Sequence, residues 1–397
     1  MDKKMTERIK ELIEKHYLLA VEIRHKIHQY PELAFEEFET SRLVAETLER
    51  HGIKVQSGIA KTGALALIEG KKPRDSRAKT VLLRADMDAL PITEETDVPF
   101  ASCKPGLMHA CGHDGHTAGL VLAGIVLKEL AAEFSGGIKL MFQPAEEGDG
   151  GAEPMIAAGI LENPKVDAAF GCHLWGGVKA GQIAVNTGPL MASPDEFYIT
   201  VRGRGGHAAT PHITIDPIVI AAQIINSFQA IASRRNDPLL PLVISTCGVH
   251  GGGTHNIIPD TVELVGTVRT LNHEQRAGIP ALMEQTASDI ARSWGADCVF
   301  KLIRRYPPLI NDAAAAALAG SASAKIVGRE NVITCPPNMG GEDFAYLAEK
   351  VPSAFFFVGI AKDAPVIHHN SKFAWDDSIL KISAAALCQT ALDYLRQ

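Results

Sequence analysis

The chain reads as an α/β protein: a discontinuous domain with a helix-covered central sheet, interrupted by an inserted ferredoxin-like domain. Three observations predict this. Apolar runs alternate with amphipathic helical patterns through the first half of the chain. From about residue 188 the order changes to β-α-β-β-α-β, the split βαβ plan. After Tyr306-Pro-Pro308 the alternating pattern resumes. The expected boundaries are 1–187 for the first part of the discontinuous domain, 188–304 for the insert and 305–397 for the second part.

Element by element, helical spacing over about 5–29 sets Ile9, Leu12, Ile13, Leu19, Ile23 and Ile27 along one stripe. A second helix is expected over 37–51. Apolar runs at 64–68 and 81–84 read as strands. A long helix follows at about 114–134, a strand at 138–142, a short helix at 154–158 and a strand at 168–172. In such sheets ligands gather beyond the strand carboxyl ends. The loops after Arg84, Phe142 and Cys172 hold Asp86 and Asp88, Glu146 and Glu147, and His173. In the insert, 197–201 alternates as a strand, and Asp216-Pro217 opens a helix reaching about Arg234. Strands at 242–249 and 262–270 flank a Gly-rich turn. A helix over about 274–294 starts from an N-cap at Asn272, and 297–303 closes the insert. Helices at 312–327 and 342–349, a strand at 354–358 and a helix at about 378–395 complete the chain.

A chain of 397 residues is long for one core and fits about two domains. A net charge of -7 argues against nucleic acid, whose phosphates need a basic surface. No apolar run approaches the ~20 residues of a membrane span. The charged start, Met1-Asp-Lys-Lys, does not read as a secretory signal. Seven cysteines, odd in number and scattered, do not form a disulfide framework; a reducing cytoplasm is expected, with most of them small core residues.

The stretch His109-Ala-Cys-Gly-His-Asp-Gly-His116 puts a thiol and three imidazoles within eight residues. Cys111 and His113 lie two apart, so a turned or extended backbone points both the same way. A thiolate beside imidazoles suits zinc, manganese, cobalt or nickel. The alternative is a buried thiol beside surface histidines. Glu146-Glu147 follows Gln143-Pro-Ala145 at a strand end. One carboxylate can bind a metal while its neighbour takes a proton from water, the division of labour of a metallohydrolase; the alternative is a solvated acidic loop. His173 is a ligand or an edge residue. His368 and His369, before Asn370-Ser371, offer a closing ligand. Asp86 and Asp88 straddle a buried strand end, as metal ligands or as acceptors that orient a ligating imidazole. In the insert, Gly205-Gly-His207, Asn256-Ile-Ile-Pro259 and Arg269 are candidates to grip a carboxylate and a developing oxyanion, or are turn and surface residues. There is no Gly-x-Ser-x-Gly elbow and no phosphate loop.

Together these residues resemble the dinuclear metal amidohydrolases of the aminoacylase and carboxypeptidase superfamily. The resembling branch holds hippurate hydrolase, N-acyl-amino-acid amidohydrolases and the plant auxin-conjugate hydrolases. The resemblance runs over nearly the whole chain. It is carried by His28-Gln-Tyr-Pro-Glu-Leu33, Arg84-Ala-Asp-Met-Asp-Ala-Leu-Pro91, the cluster at 109–116, Gln143-Pro-Ala-Glu-Glu-Gly148, Gly205-Gly-His207, Asn256-Ile-Ile-Pro259, Gly341-Glu-Asp-Phe344 and His369-Asn-Ser-Lys-Phe373. It implies that the discontinuous domain is catalytic and binds two divalent ions per subunit. Cys111 would bridge them, with His113, Glu147, His173 and His369 completing the shell and Glu146 as general base, then acid. The insert would form a homodimer or higher homo-oligomer. His207 would reach the partner's site as oxyanion donor, and Asn256 and Arg269 would hold a substrate carboxylate. Where related carboxypeptidases have His-x-Asp on the first strand, Asp86 takes the histidine's place, and the bridge is Cys111 rather than aspartate. The implied reaction is hydrolysis of a small-molecule N-acyl amino acid to a carboxylic acid and an amino acid. The other readings are a carboxypeptidase or dipeptidase on the same site, and a metal-loaded binding protein without turnover.

Overall fold

The computed structural model describes residues 2–73, 78–148 and 150–397. The chain forms two compact units. One comprises Met1–Gly188, Ile310–Pro336 and Tyr346–Gln397; the other comprises Pro189–Leu309 and Pro337–Ala345.

The first unit is built on an eight-stranded mixed sheet. Its order is Val55–Ile59, Gly63–Glu69, Gly137–Gln143, Thr80–Asp86, Ala168–Lys179, Ser353–Ala361, Ile183–Ala184 and Val332–Ile333. The four middle strands run parallel. Every residue of Thr80–Asp86, Gly137–Gln143 and Ser353–Ala361 is buried, so both faces are covered. Helices Asp2–Gln29, His113–Glu129 and Ile379–Leu395 pack against one another and close the core around Leu83, Leu120, Phe142, Phe170, Phe356 and Leu387. The helix His113–Glu129 is buried from His113 through Leu127, as an all-round apolar sequence requires.

Register fixes the working end of this sheet. Asp86 pairs with Gln143, Arg84 with Gly171, and His173 with Phe357, so Asp86, Gln143 and His173 stand at one level. Two details differ from the expectation. Asp86 ends its strand rather than following it, and the strand expected to stop at Cys172 runs to Lys179. His173 is therefore held inside a strand, because the parallel partner Ser353–Ala361 keeps pairing past it. Strand Val55–Ile59 has three exposed residues in a row, no apolar alternation, and forms by pairing with Gly63–Glu69. The helix expected over 342–349 shrinks to Ala345–Ala348.

The second unit carries a four-stranded antiparallel sheet ordered Leu242–His250, Thr261–Thr270, Ser193–Arg202 and Asp297–Ile303. With helices Pro217–Arg234 and His273–Ser293 this is the β-α-β-β-α-β plan. Its core holds Phe197, Ile199, Ile224, Phe228, Leu264 and Met283. Both helix starts are capped as read: Asp216 accepts from the Ile218 amide, and Asn272 from Glu274 and Gln275. All seven cysteines are free; Cys103 and Cys247 are exposed rather than in a core. No described helix is long and apolar enough to cross a membrane.

Candidate metal centre

The donors expected from the first unit meet at its sheet's carboxyl edge. Cys111 sits in the turn before helix His113–Glu129, where Gly112 has φ 92°, a conformation that favours glycine. Gly115 lets the helix approach the Trp375 ring, which a Cβ would meet at 2.3 Å. The turn thus aims Cys111 and His113 back over the strand ends.

Cys111 Sγ lies 3.4 Å from His173 Nε2. Donor atoms of Cys111, His113 and His173 all lie within 4.8 Å of one another, as do those of Cys111, Glu147 and His369, and those of His113, Glu146 and Glu147. The first two triads share the thiol. His173 Nδ1 donates to its neighbour's carbonyl, Leu174 O, at 2.8 Å, which leaves the Nε2 lone pair facing Cys111.

Asp86 and Asp88 both accept hydrogen bonds from groups around the site. Asp88 Oδ1 accepts from His113 Nδ1 at 3.2 Å and from the Glu146 amide at 3.0 Å; Oδ2 accepts from the Glu147 amide at 2.9 Å. One carboxylate thereby orients an imidazole and fixes the backbone of the acidic pair. Asp86 accepts from Arg84 at 2.7 Å and from His116 Nδ1 at 2.6 Å. His116 Nε2 in turn accepts from the Leu174 amide at 2.9 Å, so both ring nitrogens are engaged within the protein. The two tail histidines also separate. His368 Nε2 accepts from the Gly176 amide at 3.0 Å and its Nδ1 faces Cys111 Sγ at 3.8 Å. His369 Nε2 stands 3.0 Å from Glu147 Oε1.

Electrostatics favours a cation here. Burial, then Glu147, Glu146 and Asp86, push the Cys111 thiol well above its usual pKa. Burial opposes charge on His113, yet Asp86, Asp88 and Glu147 raise its pKa to about 10. Burial with His116 and His368 nearby holds His173 well below its usual value, hence neutral and able to donate a lone pair. Burial raises Asp86, but His113, His116 and Arg84 outweigh it and its pKa falls well below normal.

The donor set fits a divalent metal on two further grounds. His113 Nε2 and Glu147 Oε1 are buried without a hydrogen-bond partner. His369 Nε2, 3.0 Å from that oxygen, brings a further donor to the same place. An unpaired buried polar atom costs about 1–3 kcal/mol, which an ion between them removes. Thiolate, imidazole and carboxylate together are transition-metal donors.

Sequence reasoning missed the supports: Arg84, His116, and the cluster in which Arg24 and His28 contact Asp114. Arg84 was legible as a charge inside an apolar strand run. His116 and His28 stand inside the motifs already singled out, but nothing in their spacing gives them a supporting task. His207, Asn256 and Arg269 lie in the second unit. His207 and Ile257 pair in a short exposed ribbon, and the Ala208 amide donates to Asn256 O at 3.0 Å. His207 Nδ1 accepts from the Ala209 amide at 3.0 Å, which leaves the ring proton on Nε2. Arg269 is half-buried on the strand Thr261–Thr270, its Nε donating to Thr267 Oγ1 at 3.0 Å.

The sequence profile described as Peptidase family M20/M25/M40 matches residues 82–393. The chain is 41% identical over 381 residues to Thermostable carboxypeptidase 1 of Saccharolobus solfataricus, covering 94% of this chain and 95% of that protein. It is 43% identical over 306 residues to N-acyl-L-amino acid amidohydrolase of Geobacillus stearothermophilus, covering 77% and 81%. A crystal structure of a Bacillus subtilis protein, described as a dinuclear metal-binding peptidase, matches with a TM-score of 0.85 at 35% identity, over 96% of this chain and 99% of that one.

Proposed function

We propose, from the premise that the chain belongs to peptidase family M20/M25/M40, that it hydrolyses the amide bond of N-acyl amino acids, releasing a carboxylic acid and an amino acid. The observation that carries the reading is the meeting of Cys111, His113, Glu147, His173 and His369 around one thiol, with Glu146 beside His113 and Glu147. The N-acyl-amino-acid amidohydrolase at 43% identity supports the substrate class.

Cys111, His113, Glu147, His173 and His369 would hold the two ions, with the Cys111 thiol shared between them. Bound zinc, manganese, cobalt or nickel would supply Lewis acidity and a water of lowered pKa. Glu146 takes the proton from water and returns it to the departing amine. Its amide is tied to Asp88, so the carboxylate swings about a fixed root. His207, its proton on Nε2, reaches the partner's active site and donates there to the oxygen that gains charge. Asn256 and Arg269 hold the substrate carboxylate. The ferredoxin-like unit forms a homodimer, and the enzyme works in the cytoplasm. A panel of N-acetyl, N-benzoyl and dipeptide substrates, with each metal added back to stripped protein, tests the reading. Turnover of the acyl amino acids is expected. Binding without hydrolysis under every metal would end it. A second reading, a carboxypeptidase, is favoured by the 41% identity to Thermostable carboxypeptidase 1; preference for the dipeptides in the same panel would select it.

A further inference from the structure

We propose that Glu37, outside the donor set, is the positioning residue that presents Glu146 and Glu147; the proposal rests on the amidohydrolase reading above. Glu37 is fully buried. Its Oε1 accepts from the Ala145 amide at 2.8 Å and from the Phe35 amide at 3.0 Å, and its Oε2 accepts from the Thr62 hydroxyl. A carboxylate in such a place is costly without donors. Burial raises its pKa against the pull of those hydrogen bonds.

Ala145 is the residue before the acidic pair, and it has φ 53°, a left-handed conformation that alanine rarely adopts. Its peptide is held from both sides. Glu37 takes the amide, while the Gly150 and Gly151 amides donate to its carbonyl at 2.8 and 3.2 Å. The next two amides, of Glu146 and Glu147, go to Asp88. Three consecutive N–H groups therefore end on two buried carboxylates. A turn fixed at three successive amides has few ways to place its side chains. Here Glu147 faces His113 and His369, and Glu146 stays within reach of His113.

The segment bearing Glu37 is itself anchored. Glu32 accepts from the Glu39 and Thr40 amides at 3.1 and 2.9 Å, and its carbonyl accepts from the Ala89 amide at 2.7 Å, one residue past Asp88. Residues 32–37 thus hold in common register the two turns whose carboxylates and amides set the acidic pair. The motif His28-Gln-Tyr-Pro-Glu-Leu33, which supplies no donor to the metal cluster, leads into this segment.

The test compares Glu37→Ala, Glu37→Gln and Glu37→Asp with wild type. Zinc or manganese is titrated calorimetrically into stripped protein without substrate, and kcat and KM are measured at saturating metal. Glu37→Ala should weaken metal affinity about 10–100-fold through Glu147. At saturating metal it should lower kcat about 100-fold with KM little changed, because Glu146 is misplaced. Glutamine keeps an acceptor for the Ala145 amide and should restore both. Aspartate keeps the charge but is one methylene short, and should not. A folded Ala or Asp variant with wild-type affinity and kcat overturns the proposal, as does a Gln variant as impaired as Ala. If Ala fails to fold, the Asp and Gln pair decides. Wild type that hydrolyses no acyl amino acid sinks the amidohydrolase reading, and the metal titration still judges Glu37.

Discussion

His28 should make the stability of this protein fall as pH rises from near neutral. It is almost fully buried, with Nδ1 2.9 Å from Asp114 Oδ2 and Nε2 3.2 Å from Glu94 Oε1. Both ring nitrogens face carboxylate oxygens, so both carry protons. Burial opposes that charge, but Asp114 and Glu94 outweigh it and raise the pKa from 6.5 to about 9. A pKa raised on folding contributes stability that is fully present below 6.5 and is lost as pH climbs through about 9. At 1.36 kcal/mol per unit, the shift amounts to about 3 kcal/mol, or roughly 4–5 °C in melting temperature for a body of this size. Glutamine cannot donate to both carboxylates at any pH. Thermal melts of wild type and His28→Gln between pH 6 and 10 isolate the effect, because other titrations cancel in the difference. The gap between the two proteins should narrow by about that amount as pH rises. Parallel curves would show that His28 is not held as an imidazolium.

Other substitutions probe the metal centre. Asp88→Asn leaves one acceptor oxygen for three donors, so it should cost about 1–3 kcal/mol of stability and 10–100-fold in metal affinity; unchanged metal titration would contradict its role under His113 and the acidic pair. Glu146→Gln should keep both ions by elemental analysis while turnover falls at least about a hundredfold; wild-type-like kcat would remove Glu146 as the proton carrier. Cys111→Ala should lose metal on dialysis, since both donor triads that include the thiol share it; full retention of two ions would take Cys111 out of the coordination shell.

Much of the fold was legible because local rules and tertiary structure agree. Of the apolar stripe from Ile9 to Ile27, Ile9, Leu12, Ile13, Ile23 and Ile27 are buried and Leu19 is partly so. Pro217 after Asp216, and Asn272, mark helix starts by the hydrogen bonds their positions demand. Strand Val55–Ile59 was not legible, since its residues are largely exposed and only pairing with Gly63–Glu69 makes it a strand. The length of Ala168–Lys179 depends on a partner some 180 residues away in sequence. In the site, Cys111 and His113 announced themselves by proximity to each other. The tasks of Asp86 and Asp88, and of His368 against His369, could not be read from order alone. They depend on which backbone amides and imidazoles face each oxygen and nitrogen.

The amino-acid order by itself determined the alternation of helices and strands, the β-α-β-β-α-β insert and the kinds of donor atom available for a metal. These follow from periodicity and side-chain chemistry, which are properties of neighbours along the chain. Only tertiary structure decided which donors converge and which carboxylates serve as supports. A hydrogen bond such as Glu37 to Ala145, or Leu174 to His116, joins segments that no short-range pattern connects, and its existence rests on how the sheet and helices pack.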